Sequence, residues 1–316
     1  MLQEIHLAHT QGFCAGVSSA IDIVELCLKK YGTPLYVRHA IVHNTSIIKD
    51  FETRGVVFIE ELKDVPDDRV VIFSAHGTAP DVFEKAKLRG LHIIDATCPL
   101  VTKVHRQARR YSQRMIPTIL IGHRGHQELI GTSGYVDQDL LYVVEDLNDV
   151  EGLELSEDQE IAVLTQTTLS VTDTSHLIGR LKERFPKLIT GSKEDICYAT
   201  QNRQDAVKEL TTFCDLIVIC GSPDSSNSNR LRETAEAEGV ESHIIDLADE
   251  FDLSLLKGKK ILGVSSGASV PAFIVDELVR KVQHIYPKAK VVQKESIEKG
   301  IEFPLPEELE TFKSTI

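Results

Sequence analysis

Hydrophobic positions fall into two periods that repeat three times along the chain. Val17, Ala20, Ile21, Val24 and Leu28 recur at three- and four-residue spacing, as do Val101, Val104, Ala108, Tyr111 and Met115, and again Ala206, Val207, Leu210 and Phe213. That spacing predicts three helices, each with one buried face. A short apolar run follows each, at residues 34–37, 117–121 and 215–220, and predicts a buried strand. Tyr36, Leu120 and Ile219 each stand 22 residues beyond a cysteine, namely Cys14, Cys98 and Cys197. A constant offset held three times is an internal repeat.

Polar loops keep the same register. Each of these strands runs into one loop, IVHN, GHRGHQE or GSPDSSNSN, and a later strand runs into another, FSAHGT, LTQTTLS or VSSGAS. His76, Thr167 and Ser269 lie 62, 69 and 72 residues after their cysteines. Alternating strands and helices imply parallel sheets with right-handed crossovers. The expected fold class is therefore α/β, with three similar units at residues 1–90, 91–188 and 189–290 and a C-terminal tail, 291–316, packed on the body. Ligands of open α/β sheets gather at the carboxyl ends of strands. Units set about a pseudo-three-fold axis with those ends inward would bring three thiols to one point, ringed by loops rich in His, Ser, Thr and Asn.

Composition narrows the classes. The chain has 316 residues, 42% of them hydrophobic, which suffices for packed cores. A formal net charge of −13 argues against general binding to nucleic acid or anionic lipid. No apolar run has the length of a membrane span, and residues 1–10 lack the pattern of a signal peptide, so a soluble, cytoplasmic protein is expected. A monomer is a separate expectation. Six cysteines in a reducing compartment point to metal, catalytic or packing roles rather than disulfides.

Cys27, Cys214 and Cys220 sit within apolar patterns and read as core. Cys14, Cys98 and Cys197 are repeat-equivalent and precede helices, where a thiolate is favoured. Zinc sites more often use local pairs, whereas these residues lie 84 and 99 positions apart. Three thiolates at a symmetric centre suit a four-iron cluster with one iron lacking a protein ligand. His6, His92, His105, His176, His243 and His284 take the default of surface or satisfied core. His43, His76 and His126 lie in the polar loops with Ser225, Ser226, Asn227 and Ser269. Gly221 and Gly267 would let backbone amides approach an anion there. A phosphate or diphosphate fits such a pocket better than a metal does. Walker A and GxGxxG patterns are both missing from the sequence, so a nucleotide is not its obvious owner. Glu128, a carboxylate two residues beyond His126 in these loops, would favour its protonated form in a closed pocket and serve as a proton donor, with Thr167 close to the same substrate group.

The strings GFCAGV, IVHN, FSAHG, DATCPLVTKVH, GHxxH followed by Glu128, TQTTLS, DICYATQNRQ, SSNSNRL and GAS resemble the 4-hydroxy-3-methylbut-2-enyl diphosphate reductase family, the LytB-type iron–sulfur enzymes of the non-mevalonate isoprenoid pathway. The resemblance spans nearly the whole chain. It implies a three-unit α/β protein around a central [4Fe-4S] cluster, reducing (E)-4-hydroxy-3-methylbut-2-enyl diphosphate to isopentenyl and dimethylallyl diphosphate with the substrate hydroxyl on the open iron. Carried over by position, Cys14, Cys98 and Cys197 resemble the cluster ligands. His43, His76, His126, Ser225, Ser226, Asn227 and Ser269 are similar to the diphosphate contacts, Glu128 to the proton donor and Thr167 to the residue that positions the hydroxyl.

Several positions depart from the family's usual residues. Thr10-Gln11 replace Pro-Arg, Ser18-Ser19 a commonly charged pair, Gln127 a proline and Ser265-Ser266 a Thr-Ala. Lys103, Arg106, Arg110 and Arg114, with Arg109 beside them, form a basic stripe that would dock an acidic ferredoxin or flavodoxin as electron donor. A non-enzymatic iron–sulfur sensor would need neither Glu128 nor the SSNSN loop. A phosphosugar-binding protein with inert thiols would be colourless.

Overall fold

The computed structural model describes residues 1–191, 195–298 and 300–315. In chain order its elements are β1 (Glu4–Leu7), α1 (Ala15–Tyr31), β2 (Leu35–Arg38), α2 (Thr45–Thr53), β3 (Val56–Ile59), β4 (Val70–Phe73), α3 (Pro80–Leu88) and β5 (His92–Asp95). There follow α4 (Pro99–Gln113), β6 (Thr118–Ile121), α5 (Gln127–Ser133), β7 (Leu141–Val144), α6 (Leu147–Glu151), β8 (Ile161–Thr165), α7 (Val171–Arg184) and β9 (Leu188–Thr190). The remainder is α8 (Tyr198–Thr211), β10 (Leu216–Cys220), α9 (Ser226–Ala237), β11 (Ser242–Ile245), β12 (Ile261–Ser266), α10 (Ala272–Ile285), β13 (Lys290–Gln293) and α11 (Glu307–Lys313).

These strands form three sheets, ordered β11-β10-β12-β1-β13, β3-β2-β4-β5 and β7-β6-β8-β9, and every pairing in them is parallel. The continuous apolar runs explain why. β6, β8 and β10 are buried along their full length, as strands covered by helices on both faces must be. Side chains alternate between the faces. Leu216, Val218 and Cys220 enter one core with Leu278 and Val282 of α10, while Ile217 and Ile219 enter another with Val207 and Leu210 of α8. Likewise Ile119 and Ile121 pack with Leu177 and Leu181 of α7, and Leu120 packs with Val104 and Ala108 of α4.

The cysteine-aligned stretches and the hydrogen-bonded sheets are offset by one strand. β5, which leads into Cys98, pairs with β4, and β9, which leads into Cys197, pairs with β8. β1, which leads into Cys14, pairs with β12 and β13. Each sheet is thus completed by the strand that opens the next repeat. The chain divides into two compact units, one of Met1–Val17, His43–Ile47 and Tyr198–Glu302 and one of Ser18–Val42, Ile48–Cys197 and Phe303–Ile316. The first contains the five-stranded sheet and the second contains both four-stranded sheets. Of the C-terminal tail, β13 extends the five-stranded sheet, and in the second unit Leu309 of α11 is fully buried.

Three expectations shift. Met115 is 70% exposed, because α4 ends before it and Met115 turns out with φ of 54°. Phe213 lies beyond the end of α8 and is half-exposed, its ring 4.8 Å from that of His6. His105 is buried on α4, stacked on Tyr135 at 4.3 Å, yet its Nε2 has no partner among the described residues. Desolvation lowers its pKa to about 4, so the ring stays neutral.

Candidate functional site

All three repeat cysteines occupy a strand-to-helix junction. Cys14 precedes α1, Cys98 caps α4 ahead of Pro99, and Cys197 precedes α8. Pro99 fits this place, since the first helical residue needs no N–H partner. The sulfur of Cys14 accepts the Val17 amide at 3.4 Å, which puts the thiol on the positive end of α1. These three thiols are partly exposed, whereas Cys27, Cys214 and Cys220 are buried. Burial pushes the latter three up to about 12, leaving them protonated packing groups.

Each junction is fastened to a later polar loop of the preceding repeat. The Cys98 N–H donates to Ala75 O at 3.1 Å, beside His76, and the Cys197 N–H to Thr167 O at 3.0 Å. The Cys14 N–H donates to Ala268 O at 3.1 Å, beside Ser269. A backbone bond therefore ties each cysteine to the loop of His76, Thr167 or Ser269, falling on the residue before His76 and Ser269 and on Thr167 itself.

In the second unit, α5 carries Glu128 into the interior. His126 caps this helix, its Nδ1 accepting the Glu128 N–H at 3.1 Å. Glu128 is 3% exposed and takes two hydrogen bonds from Thr167, N–H to Oε1 at 2.6 Å and hydroxyl to Oε2 at 3.0 Å. Desolvation raises its pKa from 4.5 to about 7; the Thr167 bonds oppose that rise and the charge of Asp195 adds to it. The His76 and His126 rings meet edge to face at 5.9 Å. Close packing brings them together, since a Cβ at Gly131 of α5 would stand 2.8 Å from the Gly77 carbonyl.

In the first unit, Ser225 caps α9 and Asn44 caps α2, each side-chain oxygen accepting an amide of its own first turn. Ser269 Oγ donates to the His43 carbonyl at 2.9 Å. Desolvation lowers the His43 pKa, against the pull of Asp224. Asn227 is buried with neither Nδ2 nor Oδ1 partnered among the described residues, and Ser228 Oγ is likewise unpartnered. Unsatisfied buried polar atoms at a helix start are costly unless a ligand takes them up. Gly221 and Gly267 have a reason that the sequence reading did not supply, because a Cβ at either would collide with Ser228 Oγ. Ser228, Asn44 and Arg203 were not among the sequence candidates, although the glycines on either side of the SSNSN loop pointed towards Ser228.

Among the described residues no three His, Cys, Asp or Glu side chains are gathered closely enough to hold a single metal ion. A four-iron cluster asks for a different donor set, because each thiolate binds its own iron and the sulfurs stand apart. Part-exposed thiols at helix starts have the chemistry for it.

Parallel sheets with their polar side chains at the carboxyl ends of strands define this protein as an open-sheet α/β protein with a candidate ligand site at those ends. Comparison makes that specific: a family model described as LytB protein matches residues 5–283. The chain belongs to the LytB family. It is 49% identical over 306 residues to the 4-hydroxy-3-methylbut-2-enyl diphosphate reductase of Dechloromonas aromatica (strain RCB), covering 97% of this chain and 99% of that one. It is 46% identical over 303 residues to the 4-hydroxy-3-methylbut-2-enyl diphosphate reductase 2 of Burkholderia mallei (strain ATCC 23344), covering 96% and 92%. The solved structure of the E-1-hydroxy-2-methyl-but-2-enyl-4-diphosphate reductase from Plasmodium falciparum matches with a TM-score of 0.96 at 35% identity, over 100% of this chain and 99% of that one.

Proposed function

We propose that Cys14, Cys98 and Cys197 hold one [4Fe-4S] cluster, that Glu128 is the proton donor and that the His, Ser and Asn loops bind a diphosphate. The chain is an oxidoreductase of non-mevalonate isoprenoid biosynthesis. It converts (E)-4-hydroxy-3-methylbut-2-enyl diphosphate to isopentenyl and dimethylallyl diphosphate. The reading rests most on one observation: a fully buried carboxyl with a pKa near 7 is bonded to Thr167, whose carbonyl also holds the Cys197 loop.

The reaction consumes two electrons and two protons and releases the hydroxyl as water. When bound, the cluster supplies the electrons and an iron without a protein ligand to act as Lewis acid. Ser225, Ser226, Asn227 and Ser269, with His43, His76 and His126, bind and orient the diphosphate. Glu128, protonated near neutral pH, delivers a proton to the departing oxygen, and Thr167 fixes the carboxyl that carries it. Burial of Glu128 and Thr167 keeps bulk water from competing for that proton.

Exposed Arg106, Arg109 and Arg110 lie on α4, opposite its packed face of Val101, Val104, Ala108 and Tyr111, and exposed Arg114 caps its end. We assign reduced ferredoxin or flavodoxin to this stripe as electron donor. Some of its charge is engaged locally, Lys103 with Asp195 at 3.6 Å, Arg114 with Glu160 at 3.7 Å and Arg109 over the Tyr135 ring at 5.5 Å, which leaves Arg106 and Arg110 as the main docking charges. No helix among the described residues is long and apolar enough to cross a membrane. We place the protein in the cytoplasm as a monomer. Anaerobic reconstitution with iron and sulfide tests the ligand set. A brown protein is expected, with the cluster lost on replacing any one of the three cysteines by serine; an unchanged visible spectrum in one variant removes that cysteine from the set.

A further inference from the structure

Both peptide groups of Gly12 are captured by buried side chains. Its N–H donates to Ser266 Oγ at 2.8 Å, and its carbonyl accepts from Arg203 Nη2 at 2.8 Å. Gly12 has φ of 80°, and nothing lies within 4 Å of where a Cβ would stand. Glycine is therefore required here by backbone shape and not by lack of room. Two residues on, the Cys14 N–H donates to Ala268 O. The loop that presents Cys14 is thus tied at three points, to the end of β12, to the loop beyond it and to α8.

Arg203 is 0% exposed, the largest fully buried side chain of the protein's described residues. Its Nη1 donates to Ala199 O at 2.9 Å and to both carboxylate oxygens of Glu298 at 3.1 Å. Asn202 Nδ2 donates to Glu298 Oε1 as well, at 3.1 Å. A buried ion pair seldom stabilises more than apolar side chains of the same volume would. What an apolar side chain cannot do is hold a backbone carbonyl at a fixed point. The guanidinium is a rigid fork that grips Gly12, α8 and Glu298 together, which a lysine ammonium on a flexible stem cannot reproduce. Ser266 adds the second grip; an alanine there would leave the Gly12 N–H without its partner.

We propose that Arg203, charge-balanced by Glu298 and aided by Ser266, is a positioning residue that sets where the Cys14 thiolate stands. The proposal rests on the reading of Cys14 as a cluster ligand. Its consequence is local: loosening Gly12 frees Cys14 and leaves Cys98 and Cys197 as they were.

The test uses the full-length chain without cluster, under anaerobic conditions, and reads amide hydrogen exchange at Gly12 and the alkylation rate of each cysteine by iodoacetamide. Ser266→Ala is expected to speed Gly12 exchange and Cys14 alkylation by about threefold to tenfold, the equivalent of one lost hydrogen bond. Arg203→Lys is expected to do the same, and Ser266→Thr, which keeps the hydroxyl, to restore the slow rates. Cys98 and Cys197 should react as in the unaltered protein throughout. If Arg203→Lys does not fold, the Ser266→Ala and Ser266→Thr pair decides alone. Unchanged Gly12 exchange and Cys14 alkylation in a folded variant, even with a lowered melting temperature, would overturn the proposal. Iron and sulfide content of Cys14→Ser tests the ligand role separately, and normal content there would overturn that role whatever the exchange data show.

Discussion

Glu128 and Thr167 hold each other through two hydrogen bonds, from the Thr167 amide at 2.6 Å and its hydroxyl at 3.0 Å, to different oxygens of one carboxyl group. Both residues are buried, and the Thr167 carbonyl accepts the Cys197 N–H in turn. One residue therefore links the acid to a cysteine loop. Desolvation outweighs the two bonds, which is why the carboxyl keeps its proton to about pH 7.

Glu128→Gln keeps the shape and loses the proton. Turnover should fall by about 10²- to 10⁴-fold, the span of a lost general acid. Affinity for the diphosphate and the cluster spectrum should stay close to those of the unaltered protein. Steady-state kinetics with a chemical reductant and a titration of bound substrate measure the two separately.

The same group makes stability depend on pH. Between 4.5 and about 7 the unfolded carboxyl has given up its proton while the folded one retains it. Folded stability therefore declines as pH rises through this window, by at most roughly 3 kcal/mol above it. Glu128→Gln has no such group. Denaturant titrations should show the variant gaining on the unaltered protein from pH 5 to pH 8, and parallel curves would mean that Glu128 is ionised in the fold.

Thr167→Val removes the hydroxyl donor and keeps the amide. The lost bond favoured the carboxylate, so the alkaline limb of the pH–rate profile should move upward. Stability should drop by about 1 to 2 kcal/mol, the cost of one buried hydrogen bond. Thr167→Ser should sit near the unaltered protein on both measures.

Asn227 separates binding from folding. Its side-chain amide is buried with neither atom partnered among the described residues, so Asn227→Ala should not lower the melting temperature of the ligand-free protein. Loss of a charge-assisted hydrogen bond should weaken diphosphate binding by about 10- to 100-fold, or about 1.5 to 3 kcal/mol. Calorimetry of the two forms with substrate diphosphate reads both effects.

The architecture was legible where the residue pattern alone determines it. Helices after Cys14, Cys98 and Cys197 and buried strands at Leu35–Arg38, Thr118–Ile121 and Leu216–Cys220 follow from spacing and continuous apolarity. Strand partners do not. Nothing in EIHL states that β1 pairs with β12 more than two hundred residues later, so the repeat borders and the sheets differ by one strand. Met115 and Phe213 were misplaced because periodicity continues past a helix end that backbone geometry imposes. Within the site, Glu128 stood out as a carboxylate two residues beyond His126 among His, Ser and Thr loops, and the structure places it against Thr167. Ser228 and Arg203 were not seen, because their meaning lies in burial and in contacts with Gly221, Gly267 and Gly12, which a one-dimensional pattern does not carry.

Anaerobic turnover of (E)-4-hydroxy-3-methylbut-2-enyl diphosphate by the reconstituted protein, with a chemical reductant and product analysis, tests the account most directly. Isopentenyl and dimethylallyl diphosphate should form with two electrons consumed per product, and Glu128→Gln carried through the same assay should form them about 10²- to 10⁴-fold more slowly. A brown, fully loaded protein that leaves the substrate unchanged would contradict the account.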